Sequence, residues 1–477
     1  MRLRPGNSRN RSLIAIMLTF MLVLAACSGG NGNGNAGNAP ADSANTPSTN
    51  EKSDTGTNKG ANAGTNAGTN EETQTPAPSD DKEPVTLKLL TWFVGPNQKL
   101  FDKFHEMYPW ITIEANTKID GGIINNVIAG EEADLVFLDN GLSQWMAGDL
   151  LEDLTPYIEN DVRIQNADKI DGLLESFQTG GKQYTVPYSD IPMWIVINKD
   201  LMNKYGLTMP GNDWTYDDML EMAKKATDPA ANDWGMIGMD IADIMAMANG
   251  NAGNWRLMSN DNTQSVADTP GVLEDLKWQQ DLVHKWHVKP SKEEAEKLGF
   301  AGDPGAEFLK GNFLFMLGAD WYLEGLNKDA KFEWDVLPMP KGKVQQATIH
   351  QAGAISIPKA SKHKEEAFLY ISFLFDIAAQ KAMIENGSGA FVKSPELEKY
   401  YEEVPMWKGK NVEAIKMAGN MCCFSSDPNM VDLPEYMNTV VAAISKAMND
   451  GSNLNAIIPA VEAYNKKALE TRKNLGW

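Results

Sequence analysis

From Val85 onward, apolar runs of strand length alternate with segments whose apolar residues recur every three or four positions. That alternation restricts the fold of this 477-residue chain more than any other feature, because it is the pattern of a sheet flanked by helices. Residues 85–93 (VTLKLLTWF) read as a strand. Leu100, Phe101, Phe104 and Met107 then share one face of a helix opened by Pro96 and Asn97 and stopped by Pro109. Residues 111–115 predict a second strand. Residues 133–138 (ADLVFL) are almost continuously apolar, as expected of a strand buried on both faces of a parallel sheet. A helix near 141–148 and a strand at 184–187 follow. The fold class expected is α/β.

The pattern restarts after an extended stretch at 193–198. Thr215 and Asp218 have the spacing of a capping box, and Trp214 with Met219 that of a hydrophobic staple. Further strands are predicted at 234–239, 313–317 and 354–357, with a helix over 271–287. Residues 365–385 predict one helix, apolar nearly all round and so deeply buried. Two amphipathic helices end the chain: Met437, Val440, Val441, Ile444 and Met448 line one, and Leu454, Ile457, Ile458, Val461 and Tyr464 the next. Asp450-Gly451 makes the turn between them.

The first 84 residues are of another kind. Arg2, Arg4, Arg9 and Arg11 precede an apolar run from Leu13 to Ala26, too short to span a bilayer comfortably, and small residues lead directly into Cys27. Leu24-Ala25-Ala26-Cys27 resembles the bacterial lipobox. That resemblance implies a lipoprotein signal over 1–26, cut before Cys27, which becomes the lipidated first residue. The alternative is an uncleaved anchor helix with an incidental Cys. Residues 28–84 are mostly Gly, Asn, Thr, Ser, Ala and Pro, too poor in apolar side chains to offset the entropy of ordering, so 27–84 is expected to act as a disordered tether spanning roughly 40 Å. Gly32, Gly34 and Gly37 match the dinucleotide-binding spacing. No strand precedes them and no helix follows, so the match is discarded.

Residues 85–477 are too many for one simple core and suit two lobes. The formal charge is −21, and −25 without the four leader arginines, which argues against nucleic acid or anionic lipid as a partner. A monomer is expected, held to the membrane through its N-terminal lipid alone. Of three cysteines, Cys422 and Cys423 are neighbours and closer than the usual disulfide span, so two small buried thiols are expected in preference to a redox pair. Neither a cofactor nor a metal is expected. His284 and His287 have i, i+3 spacing on the predicted helix but lack a third ligand. Tyr400-Tyr401 is similar to the paired tyrosines of ferric-ion binders, yet sits in a Glu/Lys-rich helical stretch. Walker A, G-x-S-x-G and H-E-x-x-H patterns are all missing.

Six stretches in register resemble the family 1 extracellular solute-binding proteins of ABC importers. They are LKLLTWFVGPNQKLFDKFHEMYPWITIE, ADLVFLDNGLSQWMAGDLLEDLTPYIE, GGKQYTVPYSDIPMWIVINKDLMNKYGLTMPGNDWTYDDMLEMAKK, FLKGNFLFMLGADW, WDVLPMPKG and GAISIPKASKHKEEAFLYISFL. The resemblance implies a two-lobed periplasmic-binding-protein fold of type II, a Venus flytrap with several hinge crossings. It divides the body into lobe I (85–195), lobe II (196–350), a return to lobe I (351–400) and C-terminal helices mostly on lobe II (401–477). It also implies a sugar ligand, an ABC permease with a separate ATPase as partners, and no enzymatic activity. The sequence departs from the family at the hinge, where His350-Gln351-Ala352-Gly353 stands in place of a Gly-Gly pair.

Ligands of open α/β sheets lie beyond the carboxyl ends of the strands. That rule selects Trp92, Asp139, Asn140, Tyr188 and Asp190 in the first lobe, and Asp240, Asp320 and Trp321 in the second. Trp255, on a Gly/Asn-rich loop, and Gln351, at the hinge, complete the set. Aromatic planes bury the C–H faces of a sugar while Asp and Asn meet its hydroxyls. For each residue the competing role is structural: a Trp at a strand end is often core, and an acid after a strand often caps a helix. Convergence of Asp139, Asp190, Asp240 and Asp320 would make the cleft repel anions. A binding module serving a membrane sensor, or a polysaccharide-active surface enzyme, remain the other functional readings.

Overall fold

Among the described residues, nine of eleven short strands build two separate sheets, with helices between them. The structure is a computed structural model that describes residues 82–477, apart from Phe93, 95–96, Asp120, 139–140, Ala301, Ala352 and 423–429. The signal, Cys27, Asp139, Asn140 and Cys423 therefore lie outside the described residues, as does the tether up to residue 81.

The strands are β1 (Val85–Leu90), β2 (Ile111–Asn116), β3 (Leu135–Phe137), β4 (Gln178–Thr179), β5 (Lys182–Gln183), β6 (Val186–Pro187), β7 (Trp194–Asn198), β8 (Trp234–Ile237), β9 (Phe313–Gly318), β10 (Trp334–Leu337) and β11 (Ala354–Ser356). The first sheet has the order β2-β1-β3-β11-β6 and the second β10-β7-β9-β8, while β4 and β5 form a small hairpin. β1 runs parallel to β2 and β3, whereas β11 runs antiparallel to β3 and β6. β3 is buried on both faces, as its apolar run requires, although one of its neighbours is antiparallel.

Because β6 and β11 belong to the first sheet while β7 to β10 form the second, the chain must leave one lobe and later return to it. It crosses first between β6 and β7 and again between β10 and β11. A third crossing joins the helix Pro395–Glu403, whose Tyr400 hydroxyl donates to Glu385 of the first lobe, to the helix Val412–Asn420 beside β10. On that third passage Trp407 meets Trp194 edge to face at 5.9 Å, and Lys410 Nζ donates to the Trp334 carbonyl at 2.8 Å.

Local sequence explains how β7 ends. Asn198 is buried and its side chain accepts from the Leu201 N–H, so one residue closes the strand and caps the helix Lys199–Lys204. The expected capping box at Thr215 and Asp218 is present, and Trp214 and Met219 are both buried in the same core.

Several expectations are corrected. The single helix over 365–385 is two, Lys364–Phe373 and Ile377–Glu385, bent by 66°. Asp376 breaks it by accepting from the Ala378 N–H and so capping a new helix. Among the described residues no single helix is long and apolar enough to cross a membrane. The helix expected over 271–287 ends at His284, and His287 lies beyond it with φ +50°. The two histidines thus share no helical face: His284 meets the Met448 carbonyl and His287 meets Glu294. Cys422 takes part in a disulfide rather than being a small reduced side chain, and its partner is outside the described residues.

Candidate functional site: the strand ends and the hinge

Two tryptophans at strand ends remain in the open. Trp92, just past β1, is 46% exposed, and Trp321, just past β9, is 50% exposed. Large aromatics left half in water at the carboxyl ends of strands in both sheets are the arrangement expected of surfaces awaiting an apolar face. By contrast Trp145, Trp194, Trp234 and Trp407 are fully buried core.

Asp320 precedes Trp321 and is set differently. It lies on a short turn, Asp320–Tyr322, and its Oδ2 accepts from Ser388 Oγ at 2.8 Å. Desolvation pushes its carboxyl up to about 6, and nearby Asp190 adds to the rise. Hydrogen bonds from Ser388 and the Trp321 backbone oppose it. Ser388 belongs to the segment after the bent helix pair, so a residue from the first-sheet side of the chain holds an acid from the second.

Asp190 is completely buried. Its Oδ1 lies 2.7 Å from His350 Nδ1, and its backbone bridges to Gly389. A Cβ on Gly389 would fall 2.6 Å from Asp190 Oδ2, which makes glycine necessary at this approach. Tyr188 is also buried. Its ring stacks on Phe137 at 3.8 Å with the planes 5° apart, while a Cβ at Gly353 would come within 2.0 Å of it. With one ring face stacked on Phe137, Gly353 close against the ring and little of the side chain exposed, Tyr188 is packed into the structure and offers no open ring face like those of Trp92 and Trp321.

The remaining expected residues scatter. Asp240 has an 80% exposed side chain ion-paired with Lys289 at 3.4 Å, and it faces a separate groove with Gln279 and His284. Trp255 is half-buried, with the Arg256 guanidinium 4.3 Å from its ring centroid occupying one face. Gln351 is half-buried, and its backbone N–H donates to Ile191. Convergence of four acids is therefore not seen among the described residues. Asp190 and Asp320 come together, Asp190 already faces His350, and Asp240 lies elsewhere. A larger groove of about 550 Å³, between the helix Pro270–His284 and residues 451–455, contains none of the expected residues.

Sequence reasoning missed Ser388 and the structural part played by His350. Ser388 carries no signal in its own neighbourhood, because its partner is 68 positions away. His350 did carry one: it is the sole ionisable residue in the otherwise neutral run 344–358.

Comparison with known proteins places this architecture. A binding protein of Brucella abortus is 23% identical over 288 residues, and the match spans 57% of this chain and 63% of that relative's length. Among solved structures, an ABC substrate-binding protein from Listeria monocytogenes in complex with cycloalternan superposes with a TM-score of 0.67 at 24% identity, covering 83% of this chain and all of that one. The maltose-bound MalE3 of T. maritima gives 0.61 at 21% identity, over 80% of this chain and 98% of the other. The binding protein for cyclic α-maltosyl-1,6-maltose from Arthrobacter globiformis gives 0.63 at 17% identity, over 81% and 99%. These likenesses establish the two-lobed fold, and the sequence profile of the bacterial extracellular solute-binding proteins matches residues 95–381. The chain belongs to that family.

Proposed function

We propose that the chain is a receptor that captures a carbohydrate, an oligosaccharide, between its lobes and delivers it to an ABC permease driven by a separate ATPase. The observation that carries this reading is the pair Trp92 and Trp321, each about half exposed (46% and 50%), at strand ends of different sheets. Sugars present apolar C–H faces to such rings and hydroxyls to acceptors such as Asp320. Structures of the same fold were solved with cycloalternan, with maltose and with mannobiose, which supports a saccharide cargo. The lipid expected on Cys27 and the tether of 27–84 would keep the receptor near its permease, where effective concentration replaces a strong docking interface.

A thermal-shift screen of the mature chain against linear and cyclic oligosaccharides tests the cargo. A ligand at a hundred times its Kd adds about 2.7 kcal/mol, enough to raise the midpoint measurably, and the sugar should emerge intact. A shift with a polyamine and with no saccharide would remove the carbohydrate assignment. Fractionation of cells carrying Cys27→Ser tests the anchor: the variant should leave the membrane fraction.

A further inference from the structure

The crossings between β6 and β7 and between β10 and β11 do not pass one another loosely. They form a ribbon in which Met193 N–H donates to the Ile349 carbonyl and Gln351 N–H to the Ile191 carbonyl, both at 3.0 Å, with Pro192 bridged to His350. The chain just past the helix Val412–Asn420, which the third crossing delivers, lies along the same ribbon. There Thr348 N–H donates to the Cys422 carbonyl at 2.8 Å. His350 sits where these pieces meet.

Its ring is completely buried and each nitrogen faces an oxygen acceptor. Nδ1 is 2.7 Å from Asp190 Oδ1 on the first crossing, and Nε2 is 2.8 Å from the Met421 carbonyl. A carbonyl can only accept, so Nε2 must carry a proton. A carboxylate 2.7 Å from Nδ1 needs a second one between the pair. We propose that His350 is the positioning residue of the hinge: held as an imidazolium, it pins both ribbon strands and the end of the third crossing to one point. The lobes then swing about a pivot that slackens when the ring loses a proton. This reading concerns the hinge and is independent of which solute is bound.

The surroundings decide the direction of the titration. Burial by itself lowers the affinity of the ring for its second proton. Asp190, by charge and hydrogen bond, and the backbone carbonyls at Met421 and Ala418 overcome that, and the pKa rises above the ordinary histidine value. Asp320, at the end of β9, and Tyr401, on the helix Pro395–Glu403, lie close enough to feel the charge of Asp190. Tyr401 is held neutral by burial and its hydroxyl accepts from the Ala390 N–H. A group whose folded pKa is raised stabilises fully below its unfolded value of about 6.5, and that contribution is lost as pH rises through the folded value. The hinge should therefore weaken on the alkaline side.

Thermal midpoints of the unliganded mature chain and of His350→Gln, compared from about pH 6 to about pH 9, provide the test. The wild type should lose a few degrees more than the variant over that interval, since all other titrations are common to both. Parallel curves overturn the proposal. Should the variant not fold, ring ¹⁵N spectra of the wild type decide. One histidine should keep both ring protons as the pH is raised above the ordinary value of about 6.5, whereas loss of the second proton near that value by all five overturns it. No ligand enters either measurement, so failure here leaves the sugar assignment untouched, and the converse also holds.

Discussion

The strand ends and the hinge use the same kinds of residue in opposite ways. At the strand ends, Trp92 and Trp321 are about half exposed (46% and 50%). At the hinge, Tyr188 is stacked on Phe137 with Gly353 close against its ring, and Asp190 is buried against His350. Exposed aromatics lose little when removed from the free protein, because they bury little there, yet under the proposed function they would bury much once a solute arrives. A buried ion pair behaves in reverse. It contributes little to affinity directly, and removing one partner strands the other. Asp190→Ala should accordingly lower the stability of the unliganded protein by about 3–5 kcal/mol, read by denaturant melts. A change under about 1 kcal/mol would show that water reaches the pair and that the hinge is not sealed.

Trp321→Ala tests the other side of the contrast. Stability without ligand should stay within about 0.5 kcal/mol of wild type, as for an exposed site, while affinity for the proposed oligosaccharide falls tenfold or more. Calorimetric titration gives the affinity and a melt gives the stability. A destabilised apo variant would place Trp321 in the core and remove half the basis for the cleft.

The same contrast explains what could be read from the sequence. Alternation of apolar runs located both sheets, since period and run length act locally: 85–93, 133–138 and 313–317 each fall on a strand. The strand-end rule placed Trp92 and Trp321 just beyond their strands for the same reason, as each lies within three residues of its strand's last residue. It failed where position depends on distant chain. Asp240 also follows a strand, but Lys289 draws it to another face. Tyr188 follows β6, but Phe137 and Gly353 close over it. The helix over 365–385 misled because burial on all sides looks alike whether a helix is straight or bent. Only Asp376, a capping residue in an apolar run, marked the break.

Asp320 belongs to neither region entirely, and its titration separates them. Its carboxyl is raised to about 6 against about 3.9 in the unfolded chain, so between those values the folded state holds the extra proton. Stability from this group is therefore present at low pH and falls as pH rises from about 4 to about 6, then stays level. Asp320→Asn removes the group while its amide oxygen can still accept from Ser388 Oγ. The variant should match the wild type near pH 4 and exceed it by a margin that grows up to about pH 6 and is constant above. His350 acts in a different window, above about 6.5, so a melt series across both ranges resolves two steps of opposite location. A margin that keeps growing past neutrality would mean that Asp320 and the Asp190–His350 pair titrate together. Strand ends and hinge would then form one electrostatic unit, not the two distinct regions described above.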